Sequence, residues 1–198
     1  VLAGGRDTGA AVTAVAWVAG TPIPETAVDE RERRLRTGSR AAALPRPGTS
    51  EGRQLRRWLT QLLVAEAVVA GEQGGADPPA LHDVLPDPAA RLEIGSVGAA
   101  VLESPHARAV FARIAAAVEV SEADIAAYHE RNPTRFGPRR TAIALGQARP
   151  AITAHLRAAA GRRVFRHWLD SRCAELVRLA PGYEHPGDPR QPDNTHRH

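Results

Sequence analysis

Lysine and methionine are both missing from this chain, cysteine occurs once, and aromatic residues make up only 4% of it. The lone Cys173 rules out an internal disulfide, so no cross-link ties the fold to an oxidising compartment. No apolar run is long enough to cross a bilayer. Several catalytic signatures are lacking as well. There is no Walker loop, no G-x-G-x-x-G after a strand and no H-E-x-x-H. Gly95-Ser96-Val97-Gly98 carries Ile94 where a nucleophile elbow needs its first glycine, which argues against an ordinary serine hydrolase or acyltransferase.

Of what is present, alanine and arginine dominate. All 26 basic residues are Arg, and the net charge is +4. Codon bias in a GC-rich genome accounts for this composition better than dedicated phosphate binding does. The first residue is Val, which fits a GTG start, with removal of a leader as the alternative. The Gly-rich opening with Arg6 and Asp7 makes a poor signal peptide, so a cytoplasmic location is expected. The run Arg31 to Arg36 interleaves Glu32 with its arginines and has no aromatic to stack a base. It is expected to be a solvated helix face, and no nucleic-acid partner is expected.

A hydrophobic fraction of 43%, rich in Ala, suits closely packed helices. Residues 1–11 are Gly-rich and expected to be loose. Val12 to Val18 reads as a strand stopped by Gly20, Pro22 and Pro24. Pro24 then opens a helix to about Arg36, with Ile23, Val28 and Leu35 facing inward. Thr49 or Ser50 caps a second, longer helix to about Gly71. A helix is predicted from Asp87-Pro88 to about Leu102, and another from Ser104-Pro105 through Val118. Ser121-Glu122-Ala123-Asp124 has the form of a capping box, and the helix it opens stops before Asn132-Pro133. Arg140 to Leu145 is predicted to be a second short strand. Arg149-Pro150 opens the last helix, whose apolar stripe includes Ile152, Phe165, Trp168, Leu169, Cys173 and Val177. The expected architecture is mainly α, one helical domain over 12–180, with a two-stranded β pair and an irregular Pro- and His-rich tail over 181–198.

Four segments in order resemble SurA/PrsA-type chaperones of the parvulin foldase class. They are V-A-W-V-A-G-T-P-I-P-E-T-A-V-D-E-R, R-Q-L-R-R-W-L-T-Q-L-L-V-A-E-A-V, V-S-E-A-D-I-A-A-Y-H-E-R-N-P-T-R-F and R-R-V-F-R-H-W-L-D-S-R-C-A-E-L-V. Ala19-Gly20 stands where the family usually has Asn-Gly. Between Phe136 and Pro150 only 13 residues remain, whereas a parvulin domain needs on the order of a hundred. The resemblance therefore implies a SurA N-terminal-like helical domain without isomerase. It implies that the first strand pairs with the 140–145 strand and that the last helix closes over the first two. Trp17, Trp58, Leu62, Phe111, Tyr128, Phe165 and Trp168 would then line a cleft for extended apolar polypeptide. Taken one at a time, most of these side chains are expected simply to fill the core.

The tail is the one candidate for metal chemistry. His185, His196 and His198 are offered as ligands of a divalent ion, with Tyr183 and Glu184 as acid/base groups, and no cofactor is the simpler expectation. Cys173, on the apolar stripe, is expected to be a small buried hydrophobe rather than a nucleophile. Two roles compete. One is a chaperone-like module holding unfolded or partner polypeptide, with a second copy available to cover an open cleft as a homodimer. The other is an accessory enzyme of specialised metabolism that uses the cleft as a small-molecule pocket.

Overall fold

Thr13 begins the described chain: the computed structural model describes residues 13–39, 41–75 and 77–188. The expectations for residues 1–11 and for His196 and His198 lie outside the described residues. The fold is mainly helical with one small antiparallel sheet. Two units are distinguished, residues 1–64 with 176–198, and residues 65–175.

The first unit begins with β1 (Ala14–Val18) and β2 (Thr21–Pro24). They form a hairpin through Ala19 and Gly20, at φ 48° and 83°. Two consecutive positive φ values define the turn that matches strand twist; Gly takes one freely, and Ala takes the other under strain. A bulge between Ala14 and Ala16 shifts the register, and Val15, Ala16 and Val18 are all buried. The third strand, β3 (Val177–Leu179), pairs antiparallel with β1, giving the order β2-β1-β3. Pro22 and Pro24 occupy an outer strand, where missing N–H groups discourage a further strand from adding.

Helix α1 (Glu25–Arg36) follows without a side-chain cap, and Val28 is its buried residue. Helix α2 (Ser50–Ala70) is capped as expected, with the Gly52 N–H donating to Thr49 Oγ1. The part of α2 within this unit buries Leu59, Leu62 and Val64.

The second unit contains α3 (Leu81–Val84), α4 (Pro88–Ile94), α5 (Ser96–Val101), α6 (Pro105–Ala115), α7 (Glu122–Arg131) and most of α8 (Leu145–Leu176). The capping box at Ser121 and Asp124 forms as its spacing predicts. Phe111 on α6 meets Phe165 on α8 at a ring-centroid separation of 5.5 Å. That approach needs Gly161, where an added Cβ would come within 3.2 Å of both Phe111 and Ala115.

Four expectations about elements are corrected. The helix forecast from Asp87 to Leu102 is two, α4 and α5, broken at Gly95 with φ 84° and ψ 159°. Only glycine adopts that conformation readily, and it redirects the chain. Helix α6 stops at Ala115, short of Val118. Arg140 to Leu145 is not a strand. Arg139 and Arg140 are left-handed, the Ile143 N–H donates to the Pro133 carbonyl, and Leu145 already belongs to α8. The partner of β1 is therefore not that segment but β2 on one side and β3 on the other. Finally, the last helix ends at Leu176, because Val177 to Leu179 turn extended and join the sheet. The Ala19 N–H donates to the Leu176 carbonyl and the Ala180 N–H to that of Val15.

Candidate functional site

Glu25, Asp29, Glu32 and Arg36 follow a four–three–four spacing, which puts them on one face of α1. Arg56, from α2, reaches three of them. Its guanidinium lies 3.3 Å from Glu25, 2.8 Å from Asp29 and 2.9 Å from Glu32. Arg36 binds the other oxygen of Glu32 at 2.6 Å and donates to the Pro45 carbonyl at 2.9 Å. Burial resists the charge on Glu32, but the bonds and charges of Arg36 and Arg56 outweigh it and hold the carboxyl below its ordinary pKa. Burial likewise works against the charge on Arg56, and Asp29, Tyr183 and Glu32 overcome it, so the guanidinium is held more firmly protonated than a free arginine.

The start of the tail is bound into this cluster. The Tyr183 hydroxyl donates to Glu25 Oε1 at 2.8 Å, and the nearly buried Arg57 donates to the Gly182 carbonyl at 3.0 Å. Burial and the bond to Glu25 raise the pKa of Tyr183, with Arg56 opposing. Glu184 accepts from the Gly182 N–H, and His185 Nδ1 accepts from the Gly187 N–H. Tyr183 thus ties the start of the tail to α1, while the bond of Glu184 is local to the tail. No set of His, Cys, Asp and Glu suited to a metal ion occurs among the described residues. The metal set proposed from sequence can be followed only at His185, which is exposed.

The proposed cleft residues divide between the units. In the first, Leu62 is buried while Trp17 and Trp58 are half-buried. Trp17 lies opposite Arg178 in the sheet, with the guanidinium carbon 3.7 Å from the ring centroid, a cation–π contact. In the second unit, Phe111 and Phe165 are buried core, as their apolar surroundings require, and Trp168 is half-buried 5.3 Å from Phe165. Tyr128 belongs to a different group, with Phe136 at 6.2 Å and His155 at 5.2 Å. This group packs on Ile125, Ala148 and Ile152, together with Ile143 and Leu156. His129 bonds through Nε2 to the Ile143 carbonyl at 2.8 Å. Phe136 and Ile143 thereby hold residues 132–144 against α7 and α8.

His155 sits below its ordinary pKa, chiefly through burial, with Arg135 and Arg162 adding to the effect and Asp87 and Glu93 opposing it. Cys173 is half-buried, and burial with nearby Asp170 pushes its thiol up to about 11. A thiol in that state is a poor nucleophile at neutral pH, in keeping with its position on the apolar stripe.

An open groove of about 430 Å³ lies between α4 and α8, lined by Glu93, Arg163, Arg166, His167 and Asp170. Buried Arg162 binds Glu93 Oε2 at 2.7 Å and the Val84 carbonyl at 3.1 Å, and Arg163 meets the other carboxylate oxygen at 3.3 Å. Leu92 and Val164, beside Glu93 and Arg163 in sequence, are exposed at 82% and 42%. Sequence reasoning does not pick out Arg56 or this groove. The spacing of the α1 carboxylates is readable in advance, but the partner they share comes from another helix.

Residues 14–51 match a family of unknown function (DUF7158), a segment that spans β1, β2, α1 and the first residues of α2. No curated protein and no solved structure matches the chain.

Proposed function

We propose that this protein is a chaperone-like binding module that holds apolar segments of other polypeptides and performs no proline isomerisation. The observation that carries this reading is the state of the large aromatics. Trp17, Trp58, Tyr128 and Trp168 are each only half-buried, so none of them is sealed into the core. The groups best suited to chemistry are committed elsewhere. Glu25, Asp29 and Glu32 are bound by Arg56, Tyr183 anchors the tail, and the Cys173 thiol is held protonated. The short stretch between Phe136 and Pro150 also supports the reading, because the resemblance puts the foldases' isomerase there.

Light scattering of a chemically unfolded client, diluted into buffer with increasing amounts of the protein, tests the proposal. Slower aggregation at near-stoichiometric ratios is expected, together with no acceleration of isomerisation in a proline-containing peptide. Unchanged aggregation across a hundredfold range of ratios would overturn the reading.

A further inference from the structure

Between Glu130 and Asp170 the chain contains no acidic residue, and every charged side chain is an arginine. Structure separates these arginines by what they meet. Arg162 and Arg163 share Glu93, Arg149 pairs with Glu122, and Arg166 lies 3.9 Å from Asp170. Arg135, Arg139 and Arg140 have no carboxylate partner among the described residues, and all three are exposed. The contrast with α1 is direct: there, Arg33 and Arg34 pair with Glu30, and Arg36 pairs with Glu32. One basic run is neutralised internally, and the other is left open.

The open run is also firmly presented. Phe136, next to Arg135, is held against Tyr128 and His155, and the Arg135 guanidinium lies 5.9 Å from the Phe136 ring centroid. Arg139 and Arg140 are both left-handed, at φ 51° and 60°, in a turn closed by bonds from the Arg140 N–H to Gly137 and from the Thr141 N–H to Pro138. Gly137 is required there, since an added Cβ would fall 1.8 Å from the Thr141 oxygen. Side chains other than glycine take such backbone angles only under strain. Neither arginine side chain has a hydrogen bond or ion pair among the described residues.

We propose that the connection 132–144 is a recognition loop for an acidic stretch of a polypeptide client, with Arg135, Arg139 and Arg140 binding its carboxylates. This deepens the function proposed above and rests on it. Guanidinium groups bind carboxylates through paired, charge-assisted hydrogen bonds, so three on one short loop suit a few neighbouring Asp or Glu side chains. A nucleic acid fits less well. The rings nearest the loop, Phe136, Tyr128 and His155, already meet one another in tilted or edge-on contacts, and none of them is set out as a flat platform for a base.

Fluorescence polarisation with the whole protein tests this, using a labelled peptide of alternating Glu-Glu-Leu, its Gln-Gln-Leu counterpart and a single-stranded DNA oligonucleotide. The acidic peptide is expected to bind at least tenfold more tightly than the glutamine peptide and to weaken as salt is raised. The triple variant R135E/R139E/R140E, with its circular dichroism unchanged, is expected to lose that preference. The R33E/R34E variant, which alters net charge on the neutralised face of α1, is expected to keep it. Equal binding of the two peptides, tighter binding of DNA, a triple variant that keeps the preference, or equal losses in both variants would each overturn the proposal. Should the triple variant still slow aggregation of a client free of acidic stretches, a failed loop would leave the general binding role standing. Loss of aggregation suppression in the unmodified protein would remove both.

Discussion

Ala19 shows how one side chain sets a local energy without altering a fold. It holds φ 48° in the hairpin turn, a conformation in which an alanine Cβ crowds the following carbonyl. Asparagine tolerates that region better, and Asn-Gly is the preferred pair for such a turn. Ala19→Asn is therefore expected to stabilise the protein by about 1 kcal/mol, seen as a higher denaturation midpoint with an unchanged slope. A lower midpoint would mean that the turn is held by something other than its own dihedral angles. Local surroundings also set the state of the Cys173 thiol. Its thiol is pushed up to about 11 because half-burial and Asp170 both disfavour the thiolate.

Elements are set by where side chains stop them as much as by what extends them. The sequence from Asp87 to Leu102 has the periodicity of one helix, yet Gly95 breaks it into α4 and α5. At φ 84° and ψ 159° the backbone lies where only glycine is at ease, and nothing blocks a Cβ there in space. Gly95→Ala is thus a test of backbone strain alone. A loss of about 1–3 kcal/mol is expected, measured by chemical denaturation. A neutral effect would show that α4 and α5 merge into one helix when allowed, and that the break is not demanded by packing. The last helix is stopped differently. Val177 to Leu179 leave it because β1 offers an open edge, so pairing across the sheet overrides the helical periodicity that runs through Leu176 and Val177.

On the scale of the whole molecule, charge is sorted rather than mixed. The acids of α1 are matched by Arg36 and Arg56, while the stretch from Glu130 to Asp170 is basic throughout. His155 lies in that basic stretch and is held below the ordinary imidazole pKa of 6.5, first by burial and then by Arg135 and Arg162, against Asp87 and Glu93. When the protein unfolds, the ring regains the affinity for a proton that folding suppressed. Below about 6.5 the unfolded chain then binds more protons than the folded one at this position, so stability falls as pH drops from that value through the folded pKa. His155→Phe keeps a ring against Tyr128 and Phe136 and is expected to flatten this part of the stability–pH curve. Denaturation midpoints between pH 7 and 5 check it, and an equal slope in both proteins would remove His155 as the cause.

The helical class, the first strand, α1 and the caps of α2 and α7 were readable from residue pattern, because each depends on neighbours within a few positions. The strand misplaced at 140–145 shows the limit of that reading. Arg-Thr-Ala-Ile-Ala-Leu has an extended pattern, but the Arg140 and Thr141 N–H groups close a local turn on Gly137 and Pro138, Ile143 bonds to Pro133 and His129, and the third strand forms instead at Val177–Leu179. The same limit applies to the sites. Composition shows that the stretch after Glu130 has no acid, but only tertiary contacts decide which arginines find a carboxylate and which do not. Local pattern settles what a segment tends to be, whereas partners distant in sequence settle which hydrogen bonds and charges remain unspent.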